Sequence, residues 1–99
     1  MGKAMSPTTH LRMCLCDVVN IIYTLEDELN IYAAPEWSPN SAAIVALEPD
    51  AGGEPPEAKA LGMSYFLEVF IAKEVLEGIK DLDLEARTKR LIQYAVTDA

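Results

Sequence analysis

The sequence predicts an α+β fold: a small three-stranded mixed sheet packed with helices, in the order α-β-β-α-β-α-α. Three observations lead there. Ser64-Tyr65-Phe66-Leu67-Glu68-Val69-Phe70 is aromatic and β-branched with one charge inside it, the composition of a buried strand. Directly after it, Ile71, Val75, Leu76, Ile79 and Leu82 recur at helical spacing among Lys73, Glu74, Glu77 and Lys80, so the apolar period changes near Ile71 from two to about 3.6. The chain has 99 residues and is 51% hydrophobic, which suits one domain over residues 1–99 with one modest core.

Residues 1–6 are polar and expected to fray. Their loose match to an acylation pattern is too short to separate from an ordinary or appended N-terminus. A first helix is expected from Pro7 or Thr8, with Ser6 as its cap. Leu11, Cys14, Leu15, Val18, Val19, Ile22 and Leu25 would form its apolar stripe, and it should stop between residues 24 and 27. On that helix Cys14 and Cys16 would point about 200° apart, too far for a shared metal or an easy disulfide. Cys14 then reads as a small buried apolar residue and Cys16 as a flank residue. His10 has no partner set and reads as a surface residue, and Glu26-Asp27-Glu28 reads as a solvated turn.

Residues 29–33 alternate as a half-buried strand does. Pro35-Glu36-Trp37-Ser38-Pro39-Asn40 is a tight loop that carries the only tryptophan. Residues 42–48 are apolar on both faces, as in a central strand, and the short connection makes these two strands an antiparallel hairpin. Residues 49–56, rich in Pro and Gly, read as a mobile loop. Residues 57–61 form a short helix opened by Pro55-Pro56 and ended by Gly62. The strand over 64–70 follows a connection long enough for a crossover, which would let it run parallel to the strand over 42–48. Helices over 71–80 and 84–96 complete the chain, the second capped by Asp83.

Sixteen acids against eight Lys plus Arg give a net charge of −8. Such a surface repels phosphate backbones, so no nucleic-acid partner is expected. No apolar run approaches the roughly 18 residues of a membrane helix, and no secretory signal is visible; a cytoplasmic location is the expectation. Gly52-Gly53 stands alone between acids and is no phosphate loop. One His and two badly spaced Cys make no zinc set, and no nucleophile–His–Asp arrangement can be drawn. No cofactor, metal or catalytic residue is therefore assigned. Glu68, midway along an apolar strand, either works as an acid or base with a raised pKa or simply faces solvent. Trp37, with Tyr32 and Glu36 nearby, is the candidate partner-binding group, since tryptophan is enriched at interface hot spots; the alternative is a plug for the end of the core.

Leu47-Glu48-Pro49-Asp50, then residues 58–62 leading into Tyr65, then the helix with Tyr94, resemble a family of small bacterial proteins found among mobile, integron-type gene cassettes. The resemblance spans residues 29–98. It implies an α+β fold and a bacterial cytoplasmic protein, and it brings no known activity and no catalytic residue.

Three functional expectations follow. The first is a non-catalytic protein–protein interaction module, a homodimer, because the apolar strands exceed what the helices can cover. The second is an acidic inhibitor or antitoxin-like protein that binds a basic partner such as a nuclease, suggested by the charge. The third is a small-ligand binder or enzyme with a pocket near Trp37 and Glu68.

Overall fold

The computed structural model describes residues 13–98. The expected helix start at residues 6–8, the His10 surface position and the frayed residues 1–6 lie outside them.

The chain opens with a two-residue strand, β1 (Met13–Cys14), followed at once by helix α1 (Leu15–Asn20) and a 3-10 turn over Ile22–Thr24. Strands β2 (Asn30–Ala33) and β3 (Ala42–Ala46), helix α2 (Pro56–Ala60), strand β4 (Ser64–Glu68) and helices α3 (Val69–Glu77) and α4 (Leu84–Asp98) complete it. The class is α+β as expected. The detail is different: the sheet has four strands rather than three, in the spatial order β1-β3-β2-β4, and every pairing is antiparallel, so it is not mixed.

Each departure has a local cause. Met13 and Cys14 fall on a helix-periodic stripe, yet they pair with Ala43 and Ala42. The helix then starts at Leu15 because loop carbonyls take its first donors: Leu15 N–H donates to Ser41 O (2.9 Å) and Cys16 N–H to Pro39 O (3.0 Å). Asp17 Oδ2 accepts from Cys14 N–H at 3.1 Å, which closes the junction. Both cysteines are half-buried.

The β2–β3 hairpin forms as expected, with Tyr32 opposite Ile44 and Ala33 opposite Ala43. The strand that follows the crossover does point the same way as β3. However, it lies on the far side of β2 and pairs with that strand instead. The connecting segment crosses the sheet on the face of Tyr32 and Ile44, and α2 closes that face with Ala58 and Met63. Gly62 ends α2: at φ +72 its N–H donates to Lys59 O and Met63 N–H donates back to Ala58 O. This pair of hydrogen bonds with an apolar Met63–Ala58 contact is the Schellman arrangement, and it needs the left-handed residue that glycine supplies.

β4 stops at Glu68, two residues earlier than expected, since Val69 already belongs to α3 and is fully buried there. The main core lies on the other sheet face. Ile31, Ala33, Ala43, Phe66 and Leu67 meet Leu15, Val18, Val19 and Ile22, Val69, Ala72 and Leu76 of α3, and Leu91 and Ala95 of α4. Each such side chain contributes about 1.5–3 kcal/mol by leaving water, Ala apart.

Candidate functional site

Strand pairing dictates where the polar groups of β4 go. Tyr65 stands opposite Tyr32 and Leu67 opposite Ile31, so Phe66 is the extra residue of a β-bulge. In a regular strand Phe66 and Leu67 would point to opposite faces. Here both enter the helical core. The bulge thereby turns Glu68 back onto the face of Tyr65, opposite Asn30. Without it, strand alternation would aim the Glu68 carboxylate at the apolar core.

Those side chains border a cleft of about 310 Å³. Its floor is Tyr32, 1% exposed, and Asn30, 8% exposed, whose amide Nδ2 donates to the Tyr32 hydroxyl at 3.2 Å. Tyr65 stands edge-on to Tyr32, with ring centroids 6.5 Å apart and planes at 74°. Glu68, Glu48 and Glu54 complete the walls, with Gly53 at the rim. A turn brings Glu54 there: Gly52 N–H donates to Pro49 O (2.8 Å), and Gly52 and Gly53 adopt φ of +84 and +78, where a side chain would be strained.

The cleft is anionic. None of its lining residues is Lys, Arg or His, and among the described residues Glu48, Glu54 and Glu68 form no salt bridge. The Tyr65 phenol is pushed above its usual pKa, first by burial and then by the Glu68 charge; a hydrogen bond from the Glu68 backbone opposes this, and Tyr32 and Glu48 add to the rise. Tyr65 therefore stays protonated well past neutrality. Among the described residues no three His, Cys, Asp or Glu are grouped to hold a metal ion. What the walls offer is a set of separated acceptors around an aromatic surface.

The sequence-derived candidates separate. Tyr32 and Glu68 meet in this cleft, whereas Trp37 and Glu36 do not line it. Trp37 is half-buried against the main core, its ring 4.8 Å from Phe66 at 83°, and its Nε1–H donates to Ala33 O at 3.3 Å. Glu36 is exposed in the loop at φ +39, a conformation rare outside glycine. Asn30, Glu48, Glu54 and Tyr65 were not singled out by residue type. The one available signal was local: two large apolar residues, Phe66-Leu67, flanked by polar Tyr65 and Glu68 break the period of two as a bulge does.

Comparison with protein-family models, with curated proteins and with solved structures finds no match. The site is therefore read from its own chemistry.

Proposed function

We propose that the protein is a non-catalytic interaction module whose working surface is this acidic, tyrosine-lined cleft, and that its partner is a basic protein. The observation that carries the reading is the convergence of Glu48, Glu54 and Glu68 on one concavity with no Lys, Arg or His in its lining and no ion pair to them among the described residues. Clustered carboxylates on a surface of net charge −8 favour encounter with a positive partner and oppose a negative one. Tyr65, kept protonated, supplies ring surface and a hydroxyl rather than a base.

The test uses the wild type and the triple variant Glu48→Gln/Glu54→Gln/Glu68→Gln as baits in low salt. A Lys- and Arg-rich protein retained by the wild type, lost from the variant and released by added salt supports the reading. Equal recovery on both baits, or no basic protein on either, counts against it.

Self-association is the second reading. It is favoured by β4, an edge strand paired only with β2 among the described residues, and by two exposed aromatics, Tyr65 within it and Phe70 just past its end. The bulge at Phe66 works against it, because a bulged edge is a poor template for a further strand. Light scattering on the eluting protein at micromolar concentration separates the cases: a dimer mass supports self-association and a monomer mass removes it.

A further inference from the structure

We infer that the groove between α3 and α4 binds a free alkyl carboxylate, its headgroup on Arg90 and its chain along Val75, Ile79 and Tyr94. This goes beyond the acidic cleft and does not depend on it. α3 and α4 meet in the core through Leu76, Leu91 and Ala95. Outside that seam they leave a groove of about 310 Å³, lined by Val75, Ile79, Arg90, Gln93, Tyr94 and Thr97. Val75, Ile79 and Tyr94 are half-buried and pack against the core, so the wall they make is apolar. Thr97 turns its hydroxyl onto its own helix, donating to Gln93 O at 3.0 Å, so that donor is spent within α4.

Charge complementarity selects the occupant. Arg90 is the only charged residue of the lining, and it is exposed. Among the described residues it takes part in no salt bridge, although the chain carries 16 acids. Lys73, Lys80 and Lys89 each hold a carboxylate, and Arg87 donates to Leu82 O. Lys59 also lacks a carboxylate but lines neither this groove nor the acidic cleft. A guanidinium beside an apolar wall is met by an anion with an apolar body, and its planar fork matches a carboxylate. One cation on a chain of net charge −8 suits a single negative charge better than a doubly charged phosphate. Size favours a small molecule over a protein. Arg90 and Thr97 lie about 10 Å apart along α4. The groove's 310 Å³ is about ten waters' worth of liquid. That is room for one short alkyl chain, whereas a stable protein partner covers about 800 Å² on each side.

The experiment is an NMR titration of the full chain, read at the Arg90 Nε–H, the Tyr94 ring and the methyls of Val75 and Ile79. The probes share one chain and differ in the head: octanoate, octanol and octyltrimethylammonium, each kept below micelle formation. Expected are shifts at all four residues with octanoate. It should bind about two- to fivefold more tightly than octanol, with octyltrimethylammonium the weakest. Shortening octanoate to hexanoate should weaken binding about fourfold, as for two methylenes half withdrawn from water. Arg90→Gln, an exposed change, should remove the advantage of octanoate and leave octanol unchanged, and Lys59→Gln should leave both unchanged. Equal affinity for the three heads shows an adventitious greasy surface only and overturns the inference. So does silence at these residues up to about 10 mM octanoate, or an Arg90→Gln variant that keeps the preference for the carboxylate. Shifts at the same residues that track protein concentration without any probe would give the groove to a second copy and refute it likewise. Each of these failures leaves the capture of a basic protein at the acidic cleft untouched.

Discussion

Truncating Phe66 tests both the core and the bulge that shapes the cleft. Phe66 is 1% exposed, and its ring meets Trp37 edge to face at 4.8 Å. Replacing it by alanine removes a fully buried ring and leaves a void between β4 and Trp37, which costs about 3–5 kcal/mol. About 0.5–1.5 kcal/mol of that belongs to the aromatic pair itself. A domain of this size is stable by only about 5–15 kcal/mol, so Phe66→Ala should remove roughly a fifth or more of the total. At about 4–8 °C per kcal/mol, the melting temperature should fall by at least about 12 °C. Urea unfolding followed by circular dichroism gives the free energy, and the emission of Trp37, the sole tryptophan, reports its new exposure. A double-mutant cycle with Trp37→Ala should return the pair's coupling. A loss below about 1 kcal/mol with unchanged emission would show that Phe66 is not in the core, and the bulge would fall with it.

Other consequences are simpler. Because the Tyr65 pKa is raised on folding, the unfolded chain ionises first; the stability this represents is complete below about pH 10 and is lost as pH rises through the folded value, and Tyr65→Phe should flatten that decline in a pH series of urea melts. Asp83 Oδ1 accepts from Ala86 N–H at 2.8 Å at the start of α4, so Asp83→Ala should cost about 1 kcal/mol and Asp83→Asn far less. Lys73 Nζ donates to Leu25 O and to Asp27 Oδ1, each at 2.7 Å, and ties α3 to the segment before β2. Lys73→Met should cost about 1.5–3 kcal/mol, whereas Asp27→Asn, which leaves the carbonyl bond in place, should cost less than about 1 kcal/mol by the same melts. Gly62→Ala, forced to φ +72, should lose about 1 kcal/mol with no clash to blame, since a Cβ there meets nothing within 4 Å.

What the residue pattern reveals depends on how local the determinant is. The strands β2 and β3 and their hairpin are legible because alternation and two flanking prolines state them within a few residues. The Gly62 stop and the Asp83 cap are legible for the same reason: each is a single side-chain or backbone requirement. β1 is not, because Met13 and Cys14 sit on a helical stripe and become a strand only by pairing with Ala43 and Ala42, about thirty residues away. The position of β4 beside β2 is likewise a tertiary choice: a long crossover permits either side, and β1 already occupies part of the outer edge of β3. The cleft is the least legible feature. Tyr32 attracted notice only as a neighbour of Trp37 and Glu68 as a lone strand carboxylate, Glu48 and Glu54 lie just before and within a loop read only as mobile, and the bulge that gathers them depends on which face of β2 each side chain meets. Trp37 shows the reverse: its rarity drew attention, while its place is set by a ring contact and a bond to Ala33 O.

The most direct measurement of the central claim is the set of cross-strand proton contacts between β2 and β4 in solution. With Phe66 bulged, the Tyr32 and Tyr65 rings should be close, the Asn30 and Glu68 Hα protons should show a mutual contact, and Phe66 and Leu67 should both report to the helical core. An unbulged ladder that sets Phe66 opposite Ile31, with Glu68 no longer beside Asn30, would contradict the account and dissolve the cleft with it.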